Sequence, residues 1–291
     1  MTGRLFVVAT PIGNMGDLSP RAAEVLAAVD VVAAEDTRVT GKLLARIDAK
    51  NRMVSYREQT EHRLSTELVQ RMLEGQSVAL VSDAGTPTIS DPGYRLVHAA
   101  AESGIEVVAV PGPSAVIALL SVAGLPTDRF RFEGFPPSKA SARRRLLESL
   151  RGAGTTVVFY ESPHRIVDFL GEVSAAIGDP PVAVGRELTK MHEEVQRGTA
   201  SAVAAYFGRK EPRGEFVVAV HVEAEAEELT GEALEDEVAA LAAEGLPAKA
   251  IAARLKGRGA HRREVYDALR HLSGAGSGED DAGTDEDGTT R

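Results

Sequence analysis

Short apolar runs alternate with segments of helical period along most of the chain. Residues 4–9 form the first run, and Ser19-Pro20 follows it. That pair places an N-cap hydroxyl before a proline at the first helical position. Asp91-Pro92 and Ser162-Pro163 repeat the device and predict two further helix starts. Residues 31–34, 78–81 and 107–110 read as buried strands, with helices over 40–47 and 60–73 between them. The pattern predicts an α/β domain over residues 1–120. Gly124-Leu125-Pro126 marks a linker. In residues 128–222 the alternation resumes, with strands at 130–135, 155–160, 182–186 and 215–222 and helices at 138–150 and 163–177. Three short Ala-rich helices at 234–243, 248–255 and 262–272 then predict a small helical module over 232–272. Residues 273–291 offer too little apolar side chain to fold and are expected to be a disordered acidic tail.

Two of the strands run into turns rich in Gly and Pro, SDAGTPTISDPG and PGPSA. In an open parallel sheet, loops at the carboxyl ends of the strands line the ligand crevice. Glycine lets backbone approach a ligand, and proline stiffens the loop. The pair predicts a rigid pocket for a small, flat, polar, nucleoside-like ligand.

Charge changes this picture in one respect. The formal net charge is -10. Residues 223–237 carry eight acids and no base, and residues 273–291 carry six acids and one Arg. Residues 246–272, in contrast, hold seven Lys or Arg against two acids. A local basic patch can guide an encounter with nucleic acid despite the negative total, and a solvated helical surface explains the same residues equally well. There is no cysteine, which excludes disulfides and thiolate chemistry, and no tryptophan. The first residues lack the apolar core and cleavage site of a signal peptide. The longest uncharged stretch, 107–127, is broken by Pro111, Gly112, Pro113, Gly124 and Pro126. A cytoplasmic protein without a membrane span is expected.

No G-x-G-x-x-G follows the first strand, and no P-loop, H-E-x-x-H or G-x-S-x-G is present. The seven His are scattered, and no metal site is expected. An ordered set of strings does stand out: LFVVATPIGNMGDLSPRA, AAEDTRVTGKLL, VSDAGTPTISDPG, VPGPSA, FEGFPP, FYESPHR, RELTKMHEE and GEFVVAV. On this set the chain resembles the tetrapyrrole methylase superfamily, and within it the enzymes that act on ribosomal RNA. The resemblance implies two α/β domains with S-adenosylmethionine (SAM) held between them. It further implies 2′-O-methylation of a cytidine in 16S rRNA within the small ribosomal subunit, and a homodimer. Two rivals are a superfamily methyltransferase acting on a tetrapyrrole or diphthine intermediate, and a non-catalytic RNA-binding module.

By the same resemblance Pro11, Gly85, Thr86, Ile89, Ser114 and Ala115 line the cofactor cleft, and Tyr160 and Leu188 approach it from the second domain. Asp83 either binds the SAM ammonium or braces its own loop. Asp91 reads as a helix cap. A ribose hydroxyl is a poor acid and needs a base or strong polarisation before it attacks a methyl group. Asp36, Glu161, Glu187 and Lys190 are the candidates, and the sequence does not choose among them. Arg38, His164, Arg165 and Arg186 sit at strand ends where phosphate contacts are useful. Lys139, Arg143, Arg144 and Arg145 form a denser basic cluster, and Lys249, Lys256, Arg262 and Arg263 lie in the C-terminal module. Phe135 and Tyr160 are candidates to stack on a base, or are core residues.

Overall fold

Four of the buried runs and one short polar-edged strand assemble into a parallel five-stranded sheet. The computed structural model describes residues 2–209, 211–225, 229 and 231–274. In chain order the first sheet's elements are β1 (Arg4–Val8), α1 (Pro20–Ala28), β2 (Val31–Ala34), α2 (Thr37–Arg46), β3 (Arg52–Ser55), α3 (Glu61–Leu73), β4 (Val78–Val81), α4 (Tyr94–Glu102) and β5 (Glu106–Val110). The strand order is β3-β2-β4-β1-β5, and every neighbouring pair is parallel. Both faces are covered, as all-parallel sheets require. Ala22 and Leu26 of α1 and Leu43 and Leu44 of α2 pack on one face. Leu64, Leu68 and Met72 of α3 and Leu96 of α4 pack on the other.

The second sheet is mixed. After α5 (Ala115–Ala123) come β6 (Phe130–Gly134), α6 (Ala140–Glu148), β7 (Ala153–Glu161), α7 (Ile166–Ile177), β8 (Pro181–Arg186), β9 (Glu194–Thr199), α8 (Ala200–Phe207) and β10 (Phe216–Ala224). Its order is β6-β7-β10-β8-β9; β6 and β7 are parallel, and β8 is antiparallel to both β10 and β9. Helices α6, α7 and α8 cover one face. Helix α5 covers the other, through Val116, Leu119, Leu120 and Ala123 against Val158, Ala183, Val217 and Ala219. The expected domain boundary at residue 120 therefore falls inside a helix that packs on the second sheet. Its sequence is apolar nearly all round, yet only the Val116, Leu119, Leu120 and Ala123 face is buried, and Ile117 and Val122 stay exposed. Both sheets belong to a single compact unit, Met1–Glu223.

Two of the three Ser/Asp-Pro helix starts differ from expectation. Ser19 does cap α1, its hydroxyl accepting the Ala22 N–H at 3.1 Å. Helix α4 instead begins at Tyr94 after Gly93, whose φ of 142° admits no ordinary side chain. The carboxylate of Glu61, the first residue of α3, takes the N–H groups of Gly93 and Arg95 at 3.1 and 3.4 Å. Asp91 is thus displaced from the capping role. Helix α7 begins three residues after Pro163, and its first turn is preceded by backbone bonds from Arg165 and Ile166 to the Ser162 carbonyl.

The second unit runs from Ala224. It holds α9 (Gly231–Ala243), α10 (Ala248–Leu255) and α11 (Arg262–Gly274). Leu234, Val238 and Leu241 of α9, Ile251 and Leu255 of α10, and Val265 and Ala268 of α11 make its own core. The expected acidic tail falls almost wholly at 275–291, outside the described residues. Among those described, no helix is long and apolar enough to cross a membrane.

Candidate active site

The carboxyl-end loops of the first sheet are stitched together before any ligand is considered. Thr10, after β1, and Gly85, after β4, exchange two backbone hydrogen bonds of 2.8 and 3.0 Å. The Thr86 hydroxyl donates to Pro113 O in the loop after β5, at 3.3 Å. Asp83 Oδ1 accepts the Asp36 N–H at 3.0 Å, and Glu35 Oε2 accepts the Asp83 N–H at 3.3 Å. Asp83 therefore braces the loop after β2. Gly85 adopts φ 81°, and Thr88 and Ser90 adopt 75° and 63°. Non-glycine residues held in that region are strained, and such strain concentrates at functional loops.

Against these loops the second half sets β7, β10 and the turn after β8, enclosing a cavity of about 440 Å³. Pockets of about 300–1,000 Å³ hold ligands of cofactor size. Asp83, Gly85, Thr86, Ile89, Ser114, Ala115, Tyr160 and Leu188 all line it. Pro11 does not. It lines a neighbouring pocket of about 250 Å³ between the β1 loop and α2, with Asp83 common to both. Ser114 begins α5 without a side-chain capping bond, leaving its hydroxyl and the helix N-terminus facing the cavity. Tyr160 is held edge-on between Phe132 and Phe135, with centroids 4.9 and 5.5 Å away. Phe135 remains 60% exposed although it lines the cavity, so the expectation of a core residue does not hold for it.

The cavity is acidic: Glu35, Asp83, Asp91, Glu161 and Glu215 line it, and no Lys or Arg does. Burial pushes the Asp91 carboxyl up to about 6; a hydrogen bond from Ser82 opposes the rise, and the charges of Glu35 and Asp83 add to it. Glu161 is fully buried. Its Oε1 accepts the Ser162 N–H at 2.6 Å and Arg165 Nε at 2.8 Å, whereas Oε2 has no hydrogen-bond partner. Among the described residues no group of three or more His, Asp or Glu is arranged to hold a metal ion.

Of the four residues expected to assist the hydroxyl, Glu161 lines the cavity, and Asp36, Glu187 and Lys190 lie off its lining. Asp36 caps α2 and binds Arg38 through both the backbone N–H, at 2.8 Å, and the guanidinium. Those bonds hold its carboxyl well below the usual carboxylate range. Glu187 accepts Lys190 Nζ at 2.9 Å and the Glu215 N–H at 3.0 Å. Burial raises its carboxyl, but these bonds and the nearby Arg186 outweigh it, and the net shift is downward. Burial also lowers the Lys190 ammonium, but Glu187 and Glu215 overcome this, and it stays charged.

The expected RNA contacts separate in the same way. Arg143 is only 8% exposed; Glu172 grips it at 2.5 and 2.6 Å, and its Nη1 donates to the carbonyls of Pro137 and Ser138. It is a buried structural cation and not a surface contact. Arg165 pairs with Glu161, Arg186 with Glu194, Arg38 with Asp36 and Arg144 with Glu148. Arg145 and His164 are exposed, as are Lys249, Lys256, Arg262 and Arg263 of the second unit. Arg262 lies over the Tyr266 ring at 5.5 Å.

The profile of the tetrapyrrole (corrin/porphyrin) methylases matches residues 4–204. The chain belongs to that family. Among curated tetrapyrrole methylase relatives, the ribosomal RNA small subunit methyltransferase I of Synechocystis is 47% identical over 247 residues, covering 84% of this chain and 88% of the relative. The protein of the same name from Mesorhizobium japonicum is 44% identical over 282 residues, covering 96% and 95%. That from Escherichia coli O157:H7 is 45% identical, covering 86% and 88%. Two solved structures share the tetrapyrrole methylase fold. Diphthine synthase aligns with a TM-score of 0.58 at 14% identity, over 76% of this chain and 90% of that one. A Thermus thermophilus uroporphyrin-III C-methyltransferase complexed with S-adenosylhomocysteine aligns at 0.51 and 20% identity, over 75% and 97%.

Proposed function

We propose that this chain is a SAM-dependent methyltransferase that methylates the 2′-oxygen of a cytidine in 16S rRNA of the small ribosomal subunit. The observation that carries the reading is similarity at 44–47% identity, along nearly the whole chain, to relatives bearing the name of that activity. The cavity's chemistry fits the cofactor. SAM brings a sulfonium and an ammonium, and the carboxylates around the cavity favour both. Its carboxylate suits the N-terminus of α5 with the uncommitted Ser114 hydroxyl. Tyr160 and Leu188 offer an apolar wall to the adenine. When bound, the cofactor supplies an electrophilic methyl group. The chain's part is to hold the ribose in line with it, exclude water and receive the hydroxyl proton.

An acidic cavity repels phosphates, so the RNA backbone must be held elsewhere. Exposed Arg145, Lys249, Lys256, Arg262 and Arg263 are cations suited to it, and the exposed His164 can add a hydrogen bond. A homodimer in the cytoplasm completes the proposal. The test offers methyl-labelled SAM with naked 16S rRNA, assembled small subunits, a tetrapyrrole and a diphthine precursor, and maps the product by nuclease digestion and mass spectrometry. Label in a 2′-O-methylcytidine is the expected result. Transfer only to a non-RNA acceptor overturns the reading, as does SAM binding without transfer to any acceptor. Neutralising Lys249, Lys256 and Arg262 together should lower RNA affinity and flatten its salt dependence without changing SAM affinity.

A further inference from the structure

We infer that Asp91 is the catalytic base, the carboxylate that receives the proton of the attacking 2′-hydroxyl. The inference rests on the methyl-transfer reading above and adds to it the group that does the proton chemistry. Four observations support it. First, Asp91 lines the cavity with Thr86 and Ile89 of its own loop, whereas Asp36, Glu187 and Lys190 do not. Glu161 lines it too, but its Oε1 is taken by Ser162 N–H and Arg165 and its Oε2 is buried. Second, the capping role that its position before Pro92 suggests is performed by Glu61, which leaves the Asp91 carboxylate uncommitted to α4.

Third, the loop is held under strain and against the second half. Thr88 and Ser90 have positive φ. A Cβ on Gly93 would lie 2.7 Å from Leu80 Cδ2, and one on Gly134 of β6 would lie 3.1 Å from Ser90 Oγ. The chain accepts this crowding on both sides of Asp91, which fixes the carboxylate at the seam between the halves. Fourth, its charged neighbours are Glu35 at the end of β2 and Asp83 after β4, with the Tyr160 phenol on β7 and the Ser82 hydroxyl beneath; no cation is among the groups acting on it. A carboxyl lifted to about 6 in this way takes up a proton more readily than an ordinary one and is still ionised at neutral pH. Asp36 and Glu187, both shifted the other way, are poorer acceptors.

The step balances without any further reactant. The ribose 2′-oxygen forms a bond to the methyl carbon of the donor. The breaking carbon–sulfur bond leaves its electron pair on sulfur. The 2′-hydroxyl proton passes to a carboxylate oxygen of Asp91, and from there to water after product leaves.

The test compares wild-type enzyme with Asp91→Asn and Asp91→Glu in single turnovers at saturating SAM, from pH 5 to 9, on the acceptor found active above. For wild type the rate should rise with pH and level off above a midpoint at or below 6, because the sulfonium charge lowers the midpoint further. Asp91→Asn should lose about 10²–10⁴-fold in rate and the acidic limb with it. Asp91→Glu should keep the limb at a reduced rate. Two readouts are independent of turnover: SAM affinity by calorimetry should fall far less than the rate, through the loss of one carboxylate's attraction to the cofactor's positive charges, and a carboxyl titrating near 6 in carbon-13 spectra of Asp-labelled protein should vanish in Asp91→Asn. A folded Asp91→Asn enzyme within threefold of wild type overturns the inference. So does a rate loss matched by an equal loss of SAM affinity, which makes Asp91 a cofactor contact. If Asp91→Asn does not fold, an Asp91→Glu enzyme without the acidic limb overturns it equally. Wild type that methylates no RNA defeats the functional reading instead, and the two failures are thereby distinct.

Discussion

The two halves of the large unit use charge in opposite ways. In the second half the charged groups around the second sheet are largely paired: Arg143 with Glu172, Arg165 with Glu161, Arg186 with Glu194, and Lys190 with Glu187 and Glu215. In the first half Glu35, Asp83 and Asp91 gather at one rim of the cavity, and no ion pair joins any of them among the described residues. Paired charges fix geometry. Clustered like charges raise one another's proton affinity and attract cations, at a cost in stability. The second half thus keeps most of its charges as framework, while the first half gathers acids at the cavity.

Substitutions in the paired framework and at the acidic cavity rim should move stability in opposite directions. The largest effect is expected in the framework of the second half. Arg143→Ala leaves Glu172 and two carbonyls without their partner and should cost about 3–5 kcal/mol in denaturant unfolding, with RNA affinity at permissive temperature little changed. Next comes Asp91→Asn, with the opposite sign. The native carboxyl titrates at about 6, above its ordinary 3.8. A raised native value means that the native state is favoured by protonation. That stability is fully present below about pH 4 and is lost as pH rises through 6. Asparagine never carries the charge. The variant should therefore match wild type near pH 4 and exceed it by about 2–3 kcal/mol at pH 7.5, each pKa unit being about 1.4 kcal/mol. A destabilised Asp91→Asn at pH 7.5 breaks the comparison. The smallest effect is at the exposed neighbour of Arg143. Arg144→Ala removes only a surface pair with Glu148 and should change stability by less than about 0.5 kcal/mol.

That contrast between Arg143 and Arg144 also marks how far the sequence could be read. Both stand in one RRR string. Only the helical period separates them: Arg143 shares a face with Leu147, which is fully buried, so the i, i+4 spacing carried the warning. Strands β1, β2, β4 and β5 of the first sheet were legible because each is a short aliphatic run, three of them leading into a Gly- and Pro-rich turn. Strands β3 and β9 were not, because RMVS and EVQRGT lie at sheet edges and bury no whole face. The loops that line the cavity were legible as strand-end turns. The identity of the base was not. Asp91 and Pro92 make a good local cap signal, and the group that overrides it, Glu61, lies 30 residues earlier and meets Gly93 only through the packing of α3 on α4. Local pattern sees a cap; only tertiary structure shows that the position is already filled.

Gly13 offers a last consequence. Its φ is 157°, and any Cβ there would overlap the aliphatic stem of Lys190, which crosses from the second half to lie on the β1 loop. The same Lys190 carries its ammonium to Glu187 and Glu215. Residues 13 and 190, far apart in sequence, are therefore bound by epistasis. A side chain gained at 13 meets the Lys190 stem unless residue 190 is shorter, and a shorter residue there takes the ammonium away from Glu187 and Glu215. Neither route is a single neutral step, so the two positions should be inherited together. A Gly13→Ala, Lys190→Ala double variant should show the coupling as a departure from additivity in a double-mutant cycle.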